Sequence, residues 1–383
     1  MKIYEFLAPC HFGLEAVLKR EIEDIGYDVH RVNDGHVCFK ADADGMAVAN
    51  LRLRCPERIL LVVGRFRAST FDEYFKGMAS LPWEDFLTAD CGFDIVKATA
   101  KKSTLFSTRD LQAMGKKAIV SRLSEVYGMD RFPEDGAYVP VRVFSFKDEY
   151  TVSLDTTGVP LHKRGYRKKV SGAPLAETLA ASIINLSPWK SDRVLMDPFC
   201  GSGTILIEAA QMAAHIAPGA YRSFACESWE HLISKRDFDD MRSEAREEED
   251  RKVRPILYGY DADPQMIAIA RENAKRAGVA SMIRFEVRDV ADMRADESYG
   301  FIITNPPYGE RLSEKKELEQ IYSALGRGYE SLDCWSMFVI TSYEDAVKMI
   351  GKKADKNRKI YNGMIKSYLY QFMGPKLHDK TRR

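Results

Sequence analysis

Nowhere in its 383 residues does this chain carry an apolar run close to the roughly 20 residues a helical membrane span requires, which excludes a protein of that kind. The opening segment "MKIYEFLAPCHFGLEAVLKR" breaks its apolar residues with Lys2, Glu5 and Glu15, so it lacks the continuous apolar centre of a secretion signal. A soluble, cytoplasmic protein is the expectation. Cysteine is sparse: the 7 residues Cys10, Cys38, Cys55, Cys91, Cys200, Cys226 and Cys334 are odd in number and never form C-x-x-C. That argues against a disulfide framework and against a zinc site, and no metal is expected. Net charge is nearly absent as well, at +1, so any attraction to nucleic acid must come from local patches. No internal repeat or low-complexity tract stands out.

What is present is enough apolar sequence for about two or three domains. "KIYEFLA" reads as a strand and "HFGLEAVLKREIEDIG" as a helix, with Leu14, Val17, Leu18 and Ile22 at helical spacing and Gly26 as its stop. "YDVHRV" and "HVCFKA" flank "NDG", whose Asn and Gly accept the positive φ of a primed hairpin turn. A helix in "ADGMAVANLRL" and a strand in "RILLVVGRF" complete the order β-α-β-β-α-β, a ferredoxin-like domain over residues 1–66. Over 67–158 a second α/β unit sets the strands "FDIVKATA", "VPVRVFSF" and "EYTVSLD" around the helix "STRDLQAMGKKAIVSRLSEVYG".

Lys101, Lys102, Arg109, Lys116, Lys117 and Arg122 concentrate positive charge in that second unit. Such a stretch suits RNA phosphates, because each neutralised phosphate releases counterions. A solvated helix face is the commoner use of a single basic run. A basic seam at about 159–172, "LHKRGYRKKVSG", sets Lys163, Arg164, Arg167, Lys168 and Lys169 around Tyr166. A ring between guanidinium groups suits stacking on a base, and a plain interdomain linker fits the same composition.

From 173 to 383 the rhythm changes to strand, helix, strand, helix. "RVLMDPF", "PILYGYDA", "IRFEVRD", "GFIITNPP" and "WSMFVITS" are largely apolar, as when helices cover both faces of a parallel sheet. "RKIYNGMIKSYLYQF" adds an antiparallel hairpin across "NG". The expectation is a doubly wound, Rossmann-like α/β domain with a mostly parallel sheet and an antiparallel edge. The stretch at about 216–252, containing "ESWEHLISKRDFDDMRSEAREEEDRK", is acidic and helical and interrupts that rhythm as an insertion.

In "VLMDPFCGSGTILIEAA" a buried strand runs into Asp197, then Gly201 and Gly203, then a helix. The glycines permit a tight turn and close approach of a ligand. Thr204, Ile205 and Leu206 follow where a dinucleotide fingerprint needs a third glycine, which disfavours NAD. No P-loop lysine follows either, which disfavours phosphate-rich nucleotides. Asp261 ends the next strand, where a carboxylate accepts from ribose hydroxyls. Asp263 before Pro264 is explained as a helix cap. Asp289 ends the third strand and suits an adenine amino group, although alone it would be a turn carboxylate. S-adenosylmethionine, with adenine, ribose, a cationic sulfonium and no phosphate, matches this acidic rim, and Asp197 is placed near its methionine end.

The fourth strand ends in Asn305, Pro306, Pro307 and Tyr308. An exocyclic amino nitrogen on a base is a poor nucleophile because its lone pair is delocalised into the ring. The Asn305 amide oxygen and the Pro306 carbonyl can accept its N–H groups and aim the lone pair, the prolines hold that carbonyl still, and Tyr308 can stack on a flipped base. Positioning and electrostatic support then supply catalysis without a perturbed general base.

These residues resemble the class I S-adenosylmethionine-dependent methyltransferases that modify amino groups, "DPFCGSGT" being similar to motif I and "NPPYGERL" to motif IV. Residues from about 65 to 160 resemble a THUMP RNA-binding domain preceded by its ferredoxin-like partner, and "LHKRGYRKKVSGAPLAETLAASII" resembles the join of THUMP methyltransferases. "APGAYRSFACESWEHL" resembles an insertion of the bacterial large-subunit ribosomal RNA guanine-N2 methyltransferases. The resemblance implies a seven-stranded class I domain. It assigns the donor to Asp197, Gly201, Gly203, Asp261 and Asp289, together with Pro198, Cys200 and Thr204 of the same loop. It assigns catalysis to Asn305, Pro306, Pro307 and Tyr308; the candidate RNA contacts, read from the local charge, are Lys101, Lys102, Arg109, Lys116, Lys117, Arg164 and Arg167. The substrate implied is ribosomal RNA, with transfer RNA and adenine N6 as alternatives, and a non-catalytic RNA-binding assembly factor as the reading of a different class. Some family members carry a second methyltransferase domain; this chain ends at "GPKLHDKTRR", from which one modification is expected.

Overall fold

The computed structural model describes residues 2–167, 175–308, 315–363 and 365–375. Lys168 and Lys169, the "GERL" half of "NPPYGERL" and the chain end from Lys376 lie outside the described residues. Two compact units emerge: Met1–Pro9 with Lys19–Leu161 and Gly219–Ala245, and Cys10–Leu18 with His162–Pro218 and Arg246–Arg383.

In the first unit, β1 (Tyr4–Pro9), β2 (Asp28–Asn33), β3 (His36–Ala41) and β4 (Leu60–Arg67) are followed by β5 (Gly92–Lys101), β6 (Tyr138–Phe146) and β7 (Glu149–Asp155). Their order is β2-β3-β1-β4-β7-β6-β5. The first four strands have the ferredoxin-like arrangement, and Gly35 at φ +78 turns the β2–β3 hairpin. One sheet runs through both expected N-terminal units, because β4 pairs with β7 from Leu60↔Asp155 to Arg67↔Glu149. Left alone, the apolar β4 would be an open edge of unpaired backbone groups, and β7 satisfies it. Helix Thr108–Tyr127 starts on the Ser107 side chain and stops at Gly128, φ +64. It buries Leu111, Ala118, Ile119 and Leu123.

The middle of the stretch read as an insertion at about 216–252 packs within this first unit. Gly219 N donates to Leu51 O at 2.9 Å and Cys226 N to Thr156 O at 3.0 Å. Trp229 Nε1 donates to Tyr138 O at 3.0 Å. A Cβ at Gly219 would stand 2.5 Å from Asn50 O, so only glycine permits this approach.

The second unit contains β8 (Leu195–Asp197), β9 (Leu257–Asp261), β10 (Ile283–Val287), β11 (Phe301–Thr304), β12 (Ser336–Thr341), β13 (Lys356–Asn362) and β14 (Ile365–Phe372). The order is β10-β9-β8-β11-β12-β14-β13, parallel except for the two pairings made by β14. Every residue of β11 and β12 is buried, the signature of strands covered on both faces. The chain runs outward from β8 to β10 and returns on the other side at β11, so the switch point of the sheet lies between β8 and β11. Among the described residues no helix is long and apolar enough to cross a membrane.

Candidate active site

Loops leaving the carboxyl ends of β8, β9, β10 and β11 line a cleft of about 1030 Å³. Pro198, Phe199 and Gly201 come from the first loop, Asp261 and Asp289 from the next two, and Asn305, Pro306, Pro307 and Tyr308 from the fourth. The glycine-rich turn and the Asn-Pro-Pro-Tyr corner therefore open onto one cavity.

Asp261 is held by two backbone donors: Gly201 N reaches its Oδ2 at 2.9 Å and Asp263 N its Oδ1 at 2.9 Å. Burial pushes its carboxyl pKa up, against these two bonds. Each oxygen keeps a second lone pair, which is the acceptor set a ribose diol needs. Gly201 has φ +50 and nothing within 4 Å of where a Cβ would stand, leaving open space beside that carboxylate. Asp263 caps helix Pro264–Arg276 by accepting from Gln265 N at 2.7 Å. Asp289 is exposed; its Oδ1 accepts from Ala291 N at 2.8 Å, and Oδ2 has no partner among the described residues. These residues fit an adenosine, and among the described residues no His, Cys, Asp and Glu cluster suits a metal ion.

At the other end of the cleft, Asn305 Oδ1 is buried and has no hydrogen-bond partner among the described residues. An unsatisfied buried acceptor costs about 1–3 kcal/mol, which an incoming N–H would relieve. No donor among the described residues reaches the Pro306 carbonyl. The Pro307 carbonyl is fixed by a chain that begins far away in sequence. Tyr343 N donates to Thr341 Oγ1 at 3.0 Å, Thr341 and Tyr322 share a hydroxyl contact of 2.6 Å, and Tyr322 Oη donates to Pro307 O at 3.2 Å. A hydroxyl has one proton, so the Thr341 proton points at Tyr322, whose own proton points at the proline. Tyr322 and Thr341 carry no motif, and sequence reasoning missed them.

Asp197 stands behind the lining of the cleft. It is 1% exposed, and its Oδ1 accepts from Thr304 Oγ1 at 2.7 Å and from Phe199 N at 3.2 Å. The carboxyl thereby ties the end of β8 to the end of β11, one residue before Asn305. Burial pushes its pKa up to about 7 despite those bonds. Cys200, Gly203 and Thr204 also stand behind the lining. Cys200 N donates to Tyr260 O at 2.8 Å, and Gly203, φ +85, begins helix Thr204–Ala213.

The basic residues divide. Lys101, Lys102, Arg109 and Lys117 are exposed, whereas Lys116 is bonded to Asp94 Oδ1 at 2.7 Å and Arg122 is paired with Glu84. Arg164 and Arg167 are not arranged to meet RNA, a correction to the expected contacts. The Arg164 side chain is 2% exposed, forked onto Glu208 through Nε at 3.4 Å and Nη2 at 3.3 Å. Tyr166 Oη donates to the same carboxylate at 3.3 Å, so its ring is core rather than a base platform. Arg167 Nη2 donates to Leu175 O at 3.0 Å and to Thr204 Oγ1 at 2.5 Å, and its Nε lies 3.6 Å from Glu177. These two arginines of the seam face the buried carboxylates of Glu208 and Glu177.

Residues 164–371 match the family model described as an RMKL-like methyltransferase domain, 5–60 an RlmL ferredoxin-like domain and 68–155 a THUMP domain. YpsC of Bacillus subtilis (strain 168), by name an RNA methyltransferase, is 42% identical over 374 residues, covering 97% of this chain and 96% of that protein. The ribosomal RNA large subunit methyltransferase K/L of Syntrophotalea carbinolica is 34% identical over 385 residues, 96% of this chain and 53% of that protein. This chain thus spans about half the length of that relative. The crystal structure of SMU.472, "a putative methyltransferase complexed with SAH", is similar with a TM-score of 0.93 at 39% identity, covering 98% of this chain and 100% of that one.

Proposed function

The chain belongs to the THUMP-containing, RMKL-like family of S-adenosylmethionine-dependent methyltransferases, and from that premise we propose that it methylates the exocyclic N2 of a guanosine in large-subunit ribosomal RNA. When bound, S-adenosylmethionine supplies an electrophilic methyl carbon on a sulfonium. Asp261 holds the ribose of the donor, Gly201 leaves room for it, and Asp289 accepts from the adenine amino group. The observation that carries the reading is the unsatisfied Asn305 Oδ1 in the cleft that also holds Asp261. That oxygen and the Pro306 carbonyl accept the two amine protons, turning the nitrogen lone pair away from the base ring and toward the cleft. Tyr308 stacks on the base. The acceptors also stabilise positive charge developing on nitrogen, which is where preorganised electrostatics contribute most. The RNA rests on the THUMP domain and on the names of the relatives. Guanine N2 rests on the resemblance of "APGAYRSFACESWEHL".

Nucleoside mass spectrometry of ribosomal and transfer RNA from cells lacking the protein tests this. Loss of one N2-methylguanosine from large-subunit RNA is expected. An unchanged N2-methylguanosine level, or loss of N6-methyladenosine instead, overturns the assignment.

A further inference from the structure

One face of the N-terminal sheet leaves aromatic side chains exposed. Along β6, Val139, Val141, Val143 and Ser145 are buried beneath one face, while Phe144 and Phe146 remain 38% and 42% exposed on the other. The register sets Phe144 between Thr99 and Thr151, and Phe146 between Lys101 and Glu149; Lys97 stands one pair further along, beside Arg142. On the next strand out, Arg67 pairs with Glu149. Directly paired residues share a face, so two phenylalanines lie about 7 Å apart along one strand in an open sheet face with Lys97, Lys101 and Arg67 around them. Lys147 Nζ adds a cation 5.3 Å from the Phe146 ring centre.

Single exposed phenylalanines are ordinary. Two on successive outward positions of one strand, where alternation calls for polar residues, are not. Charge selects the occupant. The arginines Arg65 and Arg142 of this face are committed to Glu5 and Asp155, but Lys97, Lys101 and Arg67 have no carboxylate partner among the described residues, and Glu149 is the one exposed carboxylate in these rows. A polyanion with accessible aromatic faces satisfies both features. The loop after Lys101 reinforces the arrangement: it presents Phe106, 79% exposed, and is tied to the β6–β7 turn by Thr104 N donating to Asp148 Oδ1 at 2.6 Å.

We propose that this face is a stacking platform for unpaired RNA, with Phe144 and Phe146 receiving successive bases and Lys97, Lys101 and Arg67 holding the phosphates. It rests on RNA being the substrate class. Duplex is disfavoured because its bases already stack on one another and offer no free faces to a sheet.

The test is fluorescence anisotropy of the full chain with a short unstructured polyuridylate and, separately, a structured fragment of large-subunit ribosomal RNA. Phe144→Leu/Phe146→Leu keeps apolar area and removes the aromatic faces, and is expected to weaken polyuridylate binding at least about tenfold with an unchanged salt slope. Phe144→Tyr/Phe146→Tyr should stay within about threefold of the parent. Lys97→Gln/Lys101→Gln should make the salt slope shallower by about 1.4, at about 0.7 per phosphate contact. Unchanged far-ultraviolet circular dichroism and an unchanged urea unfolding profile in all variants show that the N-terminal sheet of each is folded. Leucine variants that bind as tightly as the parent overturn the platform. So does a parent chain that binds the structured fragment but not polyuridylate, which leaves the methyltransferase reading standing. Binding of neither RNA removes both.

Discussion

The catalytic sheet and the N-terminal sheet each have seven strands among the described residues, yet they present ligand groups in opposite ways. In the catalytic sheet the strands β11 and β12 are buried throughout, and the groups that face the cleft, Asp261, Asp289 and Asn305, sit at or just beyond strand ends. In the N-terminal sheet the C-terminal end of β6 is itself the presenting surface, through the alternate exposed residues Phe144 and Phe146. A sheet covered on both faces has only its edge for chemistry, and there each group can be fixed from behind by buried partners. A sheet face left open over part of its area, as at the end of β6, offers a shallow surface suited to holding a polymer. Changes behind the catalytic edge should therefore cost stability or rate, whereas changes on the open face should cost binding alone.

The largest effect expected from that contrast is at Arg164. Arg164→Ala removes the guanidinium from Glu208, which is 0% exposed, and should lower unfolding free energy by about 3–5 kcal/mol in urea titration. Intact stability with reduced RNA affinity would return the residue to an RNA surface and break the contrast. Next is Asp261→Ala, which removes the carboxylate proposed to accept from the ribose. Donor affinity by calorimetry should fall about 10–100-fold, the scale of one or two bonds to a charged acceptor, and an unchanged affinity would move the donor elsewhere. The smallest is Tyr322→Phe, which deletes one proton from the chain ending at Pro307 O. Its kcat should fall about 3–10-fold with the donor KM unchanged, since a single neutral hydrogen bond is worth about 0.5–1.5 kcal/mol. A rise in KM alone would show that the chain supports donor binding rather than the corner.

Much of this was legible because it is local. The β-α-β-β-α-β order, the hairpin at Gly35, the apolar strands of the catalytic sheet and the Asp263 cap all follow from neighbouring residues. The cleft was legible as acidic residues at successive strand ends. The rest was decided by distant partners. A basic run has one composition whether it faces solvent or a buried acid, and the partner of Arg164, Glu208, lies 44 positions away. Asp197 looks like the other strand-end carboxylates, yet its hydroxyl partner Thr304 is 107 positions away. The aromatic face of β6 is written into "VRVFSF" as alternation, but it gains meaning only once the other face is known to be covered.

Asn305→Ala, followed by single-turnover transfer and donor calorimetry on the same preparation, tests most directly whether the unsatisfied amide oxygen receives the amine. Transfer should fall about 10²–10³-fold, the scale of removing one preorganised partner of a developing charge, with donor affinity within about twofold of the parent. Transfer at the parent rate, or a loss of donor binding that accounts for the whole effect, would contradict it.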